Sequence, residues 1–162
     1  MGVLKWLILA IIAIIVWAYV RFAYKYPKRV FILQTSLADF NFKLLLEKQP
    51  IVVQDRVDDI TPIWNGWFRY NINKEFEITP EVGWIRNRYK HMLVHAKEDC
   101  EVLMCPPGCR HTNGVPDTTE EVIAVKLYKG MSLVLPFRWY FTVDKPVHAC
   151  GVHDLVTYVL PA

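Results

Sequence analysis

The sequence predicts a mainly β domain, a sandwich or barrel of short strands, carried behind one membrane-spanning helix and a short α-helix. Three observations predict it. The chain opens on an apolar run from Val3 to Tyr24, broken only by Lys5 and Arg21. Six or more later segments are β-branched or aromatic and are bounded by Gly, Pro, Asp or Asn. No internal repeat, low-complexity tract or linker divides what lies between them. Composition agrees: 53% hydrophobic residues and a mean hydropathy of +0.17 exceed what a soluble domain of 162 residues needs.

The apolar run would extend ~33 Å as a helix, about the thickness of a bilayer core. A cleaved signal peptide is the rival reading, because a charged start followed by Trp6 to Val20 resembles an h-region. The run lacks a small-x-small exit, and Trp17, Tyr19, Phe22 and Tyr24 with Arg21 have the composition of an interfacial belt. Residues 1–29 are therefore expected to be a retained anchor with a basic flank, and residues 30–162 the domain. Trp6 stands where a myristoylation site needs Ser or Thr, which argues against lipidation.

Charge divides with the chain. Lys5, Arg21, Lys25, Lys28 and Arg29 put +5 on the anchor region, so a whole-chain balance of +3 leaves −2 on the domain. These cations belong to a membrane flank, and nucleic acid is not an expected partner. Arg21, Lys25, Lys28 and Arg29 follow the span, so the domain is expected on the cytoplasmic or topologically equivalent side, held against anionic headgroups. Cys100, Cys105, Cys109 and Cys150 would then be free thiols in a reducing compartment.

Within the domain, Tyr26-Pro27-Lys28 ends the first helix and Val30 to Leu33 reads as a strand. Ser36 and Asp39 suggest a capped helix start, with Phe40, Leu44 and Leu45 at helical spacing as far as Lys48, before Pro50. Ile51 to Val53 is a buried-strand run. Irregular aromatic stretches follow around Trp64 to Tyr70 and Pro80 to Trp84. His91 to Ala96, Cys100 to Met104, Glu121 to Tyr128, Met131 to Leu135, Trp139 to Val143 and Asp154 to Leu160 read as strands. Lys97-Glu98-Asp99 and Lys129-Gly130 have hairpin-turn composition, and Cys105 to Asp117 is a long loop.

Taken in order, these segments resemble the cupin-like, jumonji-type double-stranded β-helix proteins. The resemblance rests on the helix and strand from Leu44 to Val53, on Met92 to His95 followed by Cys100 to Pro107, and on Lys129 to Trp139 with its Gly turn and Leu-Pro-x-x-Trp ending. It covers most of residues 32–160 and implies a jelly-roll-like barrel. Active members bind iron with a His-x-Asp/Glu pair and a distal His, leaving positions open for oxygen and 2-oxoglutarate. Carried onto this sequence, the pair falls near Ile85-Arg86-Asn87, the distal position on Phe141, and the co-substrate lysine near Cys100. None of these suits its role, so the resemblance implies a chain without the oxygenase chemistry and with no cofactor. Compact members with an amino-terminal anchor resemble proteins of large DNA viruses, which implies a component linking an internal membrane to a protein shell.

Other constellations have competing readings. Cys105, Cys109 and His111, with His148, Cys150 and His153, could supply a tetrahedral zinc site, although cysteine is equally a small buried hydrophobe. His91, His95, His148 or His153 could build a non-standard metalloenzyme site, an oxygenase or hydrolase. Asp55, Asp58 and Asp59 lack the Gly and Glu of a calcium loop and read as a solvated run. No Gly-x-Ser-x-Gly elbow, phosphate loop or Cys-His dyad with an orienting carboxylate is legible. Trp64, Trp67 and Phe68 are candidates for a protein-facing patch, with burial over a sheet face the equal alternative. The expected function is a non-catalytic, membrane-anchored structural or binding module whose partners are a lipid bilayer and a protein.

Overall fold

A 23-residue helix, α1 (Gly2–Tyr24), leads the chain, and the domain behind it is mainly β, with 36% of the described residues in strands and 26% in helix. The computed structural model describes residues 2–25, 27, 29–109, 111–112, 115–116, 122–154 and 157–158. In α1 the stretch from Gly2 to Arg21 is long and apolar enough to cross a membrane, and none of it is buried against the domain.

The first strand is β1 (Leu33–Thr35), followed by α2 (Phe42–Leu46), β2 (Ile51–Val53) and α3 (Thr61–Trp67). Then come β3 (Ile72–Ile78), a single 3-10 turn at Pro80–Val82, β4 (Ile85–Arg86), β5 (His91–Ala96) and β6 (Cys100–Cys105). The remaining strands are β7 (His111–Thr112), β8 (Val115–Pro116), β9 (Ile123–Leu127), β10 (Ser132–Pro136), β11 (Tyr140–Val143) and β12 (Val147–His153). A large sheet has the order β1-β2-β10-β5-β12-β3, a small sheet the order β4-β11-β6-β9, and β7 and β8 form a separate ribbon.

From β3 onward the chain passes back and forth between the sheets. Strands β3, β5, β10 and β12 join the large one, and β4, β6, β9 and β11 the small one. The turns at Lys97 to Asp99 and Lys129-Gly130 are therefore crossings from sheet to sheet rather than hairpins. Gly130 is held at φ +85, and a Cβ there would come within 3.1 Å of the Arg56 and Val57 backbone, whose Val57 N–H bonds the Gly130 carbonyl at 3.0 Å. Only glycine fits that crossing. The expected barrel is not closed: among the described residues β9 pairs only with β6 and β4 only with β11, leaving the small sheet open at both edges.

The large sheet is covered on both faces, which explains its unbroken apolar runs. Strand alternation sends Val52, Met92, Val94, Leu133, Leu135, Val147 and Ala149 between the sheets, where they meet Val102, Met104, Phe141, Val143 and Trp139. The other parity, Ile51, Val53, Leu93, Val134, Cys150 and Val152, packs under Leu45 of α2 and Ile60, Trp64 and Phe68 in and around α3. The result is three layers, with helices on the large sheet and the large sheet on the small one.

Several expected elements shift. The α2 helix begins later than Ser36-Asp39, because Asn41 caps it through the Lys43 N–H (2.9 Å), while Ser36 and Asp39 bond each other in a turn of their own (2.7 Å). The Trp-rich stretch contains a helix, α3, started by Asp59 accepting the Thr61 N–H (2.9 Å). The last strand among the described residues is Val147–His153; residues 155, 156, 159 and 160 of the expected Asp154 to Leu160 strand lie outside the described residues, and Asp154 and Thr157 are in no strand. Asp154 and Thr157 exchange side-chain and main-chain hydrogen bonds that turn the chain out of the sheet. Strands β3 and β4 were not expected at all. Tyr26, Lys28, Asp117, Glu121 and Leu160 lie outside the described residues.

Candidate functional site

Strand parity separates the six expected zinc ligands. Cys105 alternates with the core residue Met104 and pairs with Tyr140, so it lies on the outer face of the small sheet. Cys109 is buried in the following turn, its N–H on the Pro106 carbonyl (3.2 Å). His148 and Cys150 share the helix-facing side of the large sheet, whereas His153 falls on the inner side with Ala149. The side chain of His111 lies outside the described residues. Among the described residues, no three His, Cys, Asp or Glu side chains come together as a metal site, so neither the six-residue set nor the four-histidine set is assembled.

What the fold does bring together is His148, Cys150 and Thr61. His148 Nε2 lies 3.4 Å from Cys150 Sγ and 3.3 Å from Thr61 Oγ1. His95 faces His148 across β5 and β12, with Nδ1 bonded to Ser132 Oγ (2.9 Å) and Nε2 to the Asp58 carbonyl (3.3 Å). This looks like a thiol and a base, but the electrostatics oppose that use. Burial drives the Cys150 thiol up to about 11, so at pH 7 roughly one molecule in ten thousand carries the thiolate. Burial likewise lowers the His95 pKa, and it brings that of His91 to about 3. The shifts of Cys150 and His95 both favour their uncharged forms in this packed cluster. The acidic run serves structure here: Asp55 accepts the Leu37 N–H (2.6 Å) and Asp59 starts α3.

The expected aromatic patch is largely interior. Trp64 is fully buried and Phe68 nearly so, in the core between α3 and the large sheet, while Trp67 is half-buried and stacked on Phe40 at 4.3 Å. A helix laid on a sheet must bury one face, and Trp64 and Phe68, four apart, are that face.

A cavity of about 560 Å³ opens where β3, β4 and the end of β12 diverge. Its walls are mainly apolar and aromatic: Phe76, Ile78, Ile85, Tyr89, Met92 and Tyr158. Tyr89 stacks on Phe76 (5.5 Å) and His153 (4.5 Å), and it lies across β12 where residue 151 is glycine. Arg86 and Arg88 also line the cavity and, among the described residues, no carboxylate does. Among the described residues His153 Nδ1 is buried without a hydrogen-bond partner, the neighbouring Thr157 N–H being given to Asp154 (2.8 Å). Burial lowers the His153 pKa, against the opposing charge of Asp154. Nothing in the residue pattern announces this cavity, because its walls come from two stretches far apart in the chain, residues 76–92 and 153–158.

The positions that the resemblance assigns to iron meet at one side of this region. Ile85 pairs directly with Phe141 across β4 and β11, and Phe141 is fully buried in the inter-sheet core. Asn87 spends its amide on structure: Nδ2 donates to the Leu135 and Pro136 carbonyls (3.1 and 2.8 Å), and Oδ1 accepts the Tyr89 N–H (2.9 Å).

At the other pole the domain is fastened to its anchor. Gln49 is buried, with Nε2 donating to the Arg29 carbonyl (2.7 Å) and Oε1 accepting the Phe31 N–H (3.2 Å). Lys48 Nζ donates to the Lys25 carbonyl (3.0 Å), and the Arg21 guanidinium lies over Trp17 at 5.3 Å.

No protein-family model matches the chain, and neither a curated protein nor a solved structure matches it.

Proposed function

We propose that the chain is a membrane-anchored, non-catalytic structural or binding module whose domain is a degenerate double-stranded β-helix of the cupin-like, jumonji type. The observation that carries this reading is the interleaved strand order. Eight strands alternate as β3-β12-β5-β10 and β4-β11-β6-β9, the pattern of a jelly roll wound from paired strands. Read in that order, the residues at the iron positions do not fit the metal. Ile85 and Phe141 carry no lone pair to donate, the Asn87 amide is engaged in three hydrogen bonds, and Cys100, a buried thiol pushed up to about 11, stands where the co-substrate carboxylate would need a cation. In this reading α1 is a retained anchor, and the domain faces the cytoplasmic or virion-equivalent side, following the flank's positive charge. Attachment of a membrane to a protein assembly, as in the large DNA viruses the sequence resembles, is the role this leaves.

The test is metal analysis of the full chain, extracted in detergent without chelator or affinity metal, together with 2-oxoglutarate binding. The expected result is iron and zinc well below one equivalent and no saturable co-substrate binding. About one equivalent of either metal, lost on His95→Ala or His148→Ala, would overturn the reading in favour of a metalloenzyme. Protection of the domain from protease added to intact cells is the expected result for orientation, and cleavage would reverse the assigned side.

A further inference from the structure

We propose that the groove between the end of α1 and the end of α2 binds one anionic phospholipid of the leaflet from which the anchor emerges; this rests on the reading of α1 as a retained span. The groove has a volume of about 610 Å³ and is lined by Trp17, Ala18, Arg21 and Lys25 on the anchor side and by Leu46 and Lys48 on the domain side. It is large enough for a phosphate headgroup and the first segment of an acyl chain.

Three features make it a lipid site rather than a gap. The first is rigidity. Gln49 bonds the backbone of Arg29 and Phe31, and Lys48 that of Lys25, so three hydrogen bonds tie the domain to the chain that leaves the anchor. The second is depth. Leu46 lines the same groove as Trp17 and Ala18, which belong to the last turns of the apolar run, and is 78% exposed. Phe42, four residues earlier, is 52% exposed with its ring edge-on to Phe68 (5.6 Å), while Leu44 and Leu45 turn to the core. An apolar stripe at the level of an interfacial Trp is covered by acyl chain once the helix spans.

The third is charge. Arg21, Lys25 and Lys48 line the groove against a single carboxylate, Glu47. Neither Arg21 nor Lys25 is in an ion pair among the described residues. Burial, and secondarily the charge of Lys25, lowers the Lys48 pKa, so the Lys25 charge acts unfavourably on the Lys48 ammonium. A phosphate between them relieves that repulsion and takes charge-assisted hydrogen bonds from all three cations.

The experiment uses the full chain in vesicles of phosphatidylcholine and phosphatidylglycerol. Resistance to alkaline carbonate is checked first, and extraction would overturn both the anchor reading and this proposal. An environment-sensitive fluorophore is then attached through Leu46→Cys, the native cysteines being buried. The expected result is blue-shifted emission, quenched by lipid carrying a nitroxide in the upper acyl chain and shielded from aqueous iodide, with the reverse behaviour for the same probe at Val82→Cys beside the distant cavity. Iodide quenching at position 46 in a carbonate-resistant chain would overturn the groove proposal while leaving the anchor intact. Native mass spectrometry of the released protein should show one retained phosphatidylglycerol, bound roughly fivefold more weakly for each of Lys25→Gln and Lys48→Gln. Retention at the bulk lipid ratio by all variants would equally refute it.

Discussion

Replacing Gly151 by alanine tests how the cavity is walled. The backbone at Gly151 is not in the left-handed region, so the effect is steric. A Cβ built there falls well inside 3.0 Å of Tyr89 ring atoms, Cγ included. Because Cγ lies on the ring's rotation axis, flipping the ring relieves nothing, and Tyr89 must swing as a whole off Phe76 and His153. Overpacking of this kind costs about 1–3 kcal/mol, while Gly→Ala returns roughly 0.4–1 kcal/mol by stiffening the unfolded chain. Gly151→Ala should therefore destabilise the protein by about 1–2 kcal/mol, lowering Tm by roughly 3–10 °C. The assay is thermal unfolding of the full chain in detergent, followed by near-ultraviolet circular dichroism. The same change in a Tyr89→Ala background should be neutral or slightly stabilising, because the obstacle is gone. Additive effects of the two substitutions would refute the reasoning, since a double-mutant cycle without coupling means that the two residues do not touch.

Other expectations follow from the same geometry. The buried His91 has its pKa lowered from 6.5 to about 3, so between those values the unfolded chain binds a proton that the folded chain refuses. Stability should fall by up to roughly 1.4 kcal/mol per pH unit as pH drops through that window, and His91→Phe should flatten the slope of urea midpoints against pH; equal slopes would contradict the assignment. Gln49→Ala leaves the Phe31 N–H and Arg29 carbonyl without their partner, which should cost about 1–3 kcal/mol and open residues 29–31 to limited proteolysis. Trp64→Ala empties the centre of the core between α3 and the large sheet and should cost about 3–5 kcal/mol in chemical unfolding; a surface Trp would cost a fraction of that.

How legible this protein is from its residues depends on how local the signal is. The run from Val3 to Tyr24 declares a spanning-length helix by composition alone, and His91 to Ala96 declares a strand because flanking turns bound a short apolar run. Gly130 marks a turn, but only the structure shows that this turn crosses between sheets, because the choice of sheet is made by pairing with strands tens of residues away. Asn73, Lys74, Glu75 and Glu77 hid β3, which becomes a strand by pairing with β12 at the sheet's edge, where one face can stay wet. Trp64 and Phe68 looked like a patch for a partner until α3 laid them on the large sheet. The candidate sites were the least legible. His148, Cys150 and His153 are neighbours in sequence, yet an odd offset puts His153 on the opposite face of the strand. The cavity is assembled from Phe76, Tyr89, Gly151 and His153, and the lipid groove from Trp17 and Leu46. Sequence fixes which residues are apolar, cationic or turn-forming, since those are properties of single side chains and their near neighbours. Which of them meet is decided by long-range strand pairing and layer packing, whose energies depend on contacts that no local window contains.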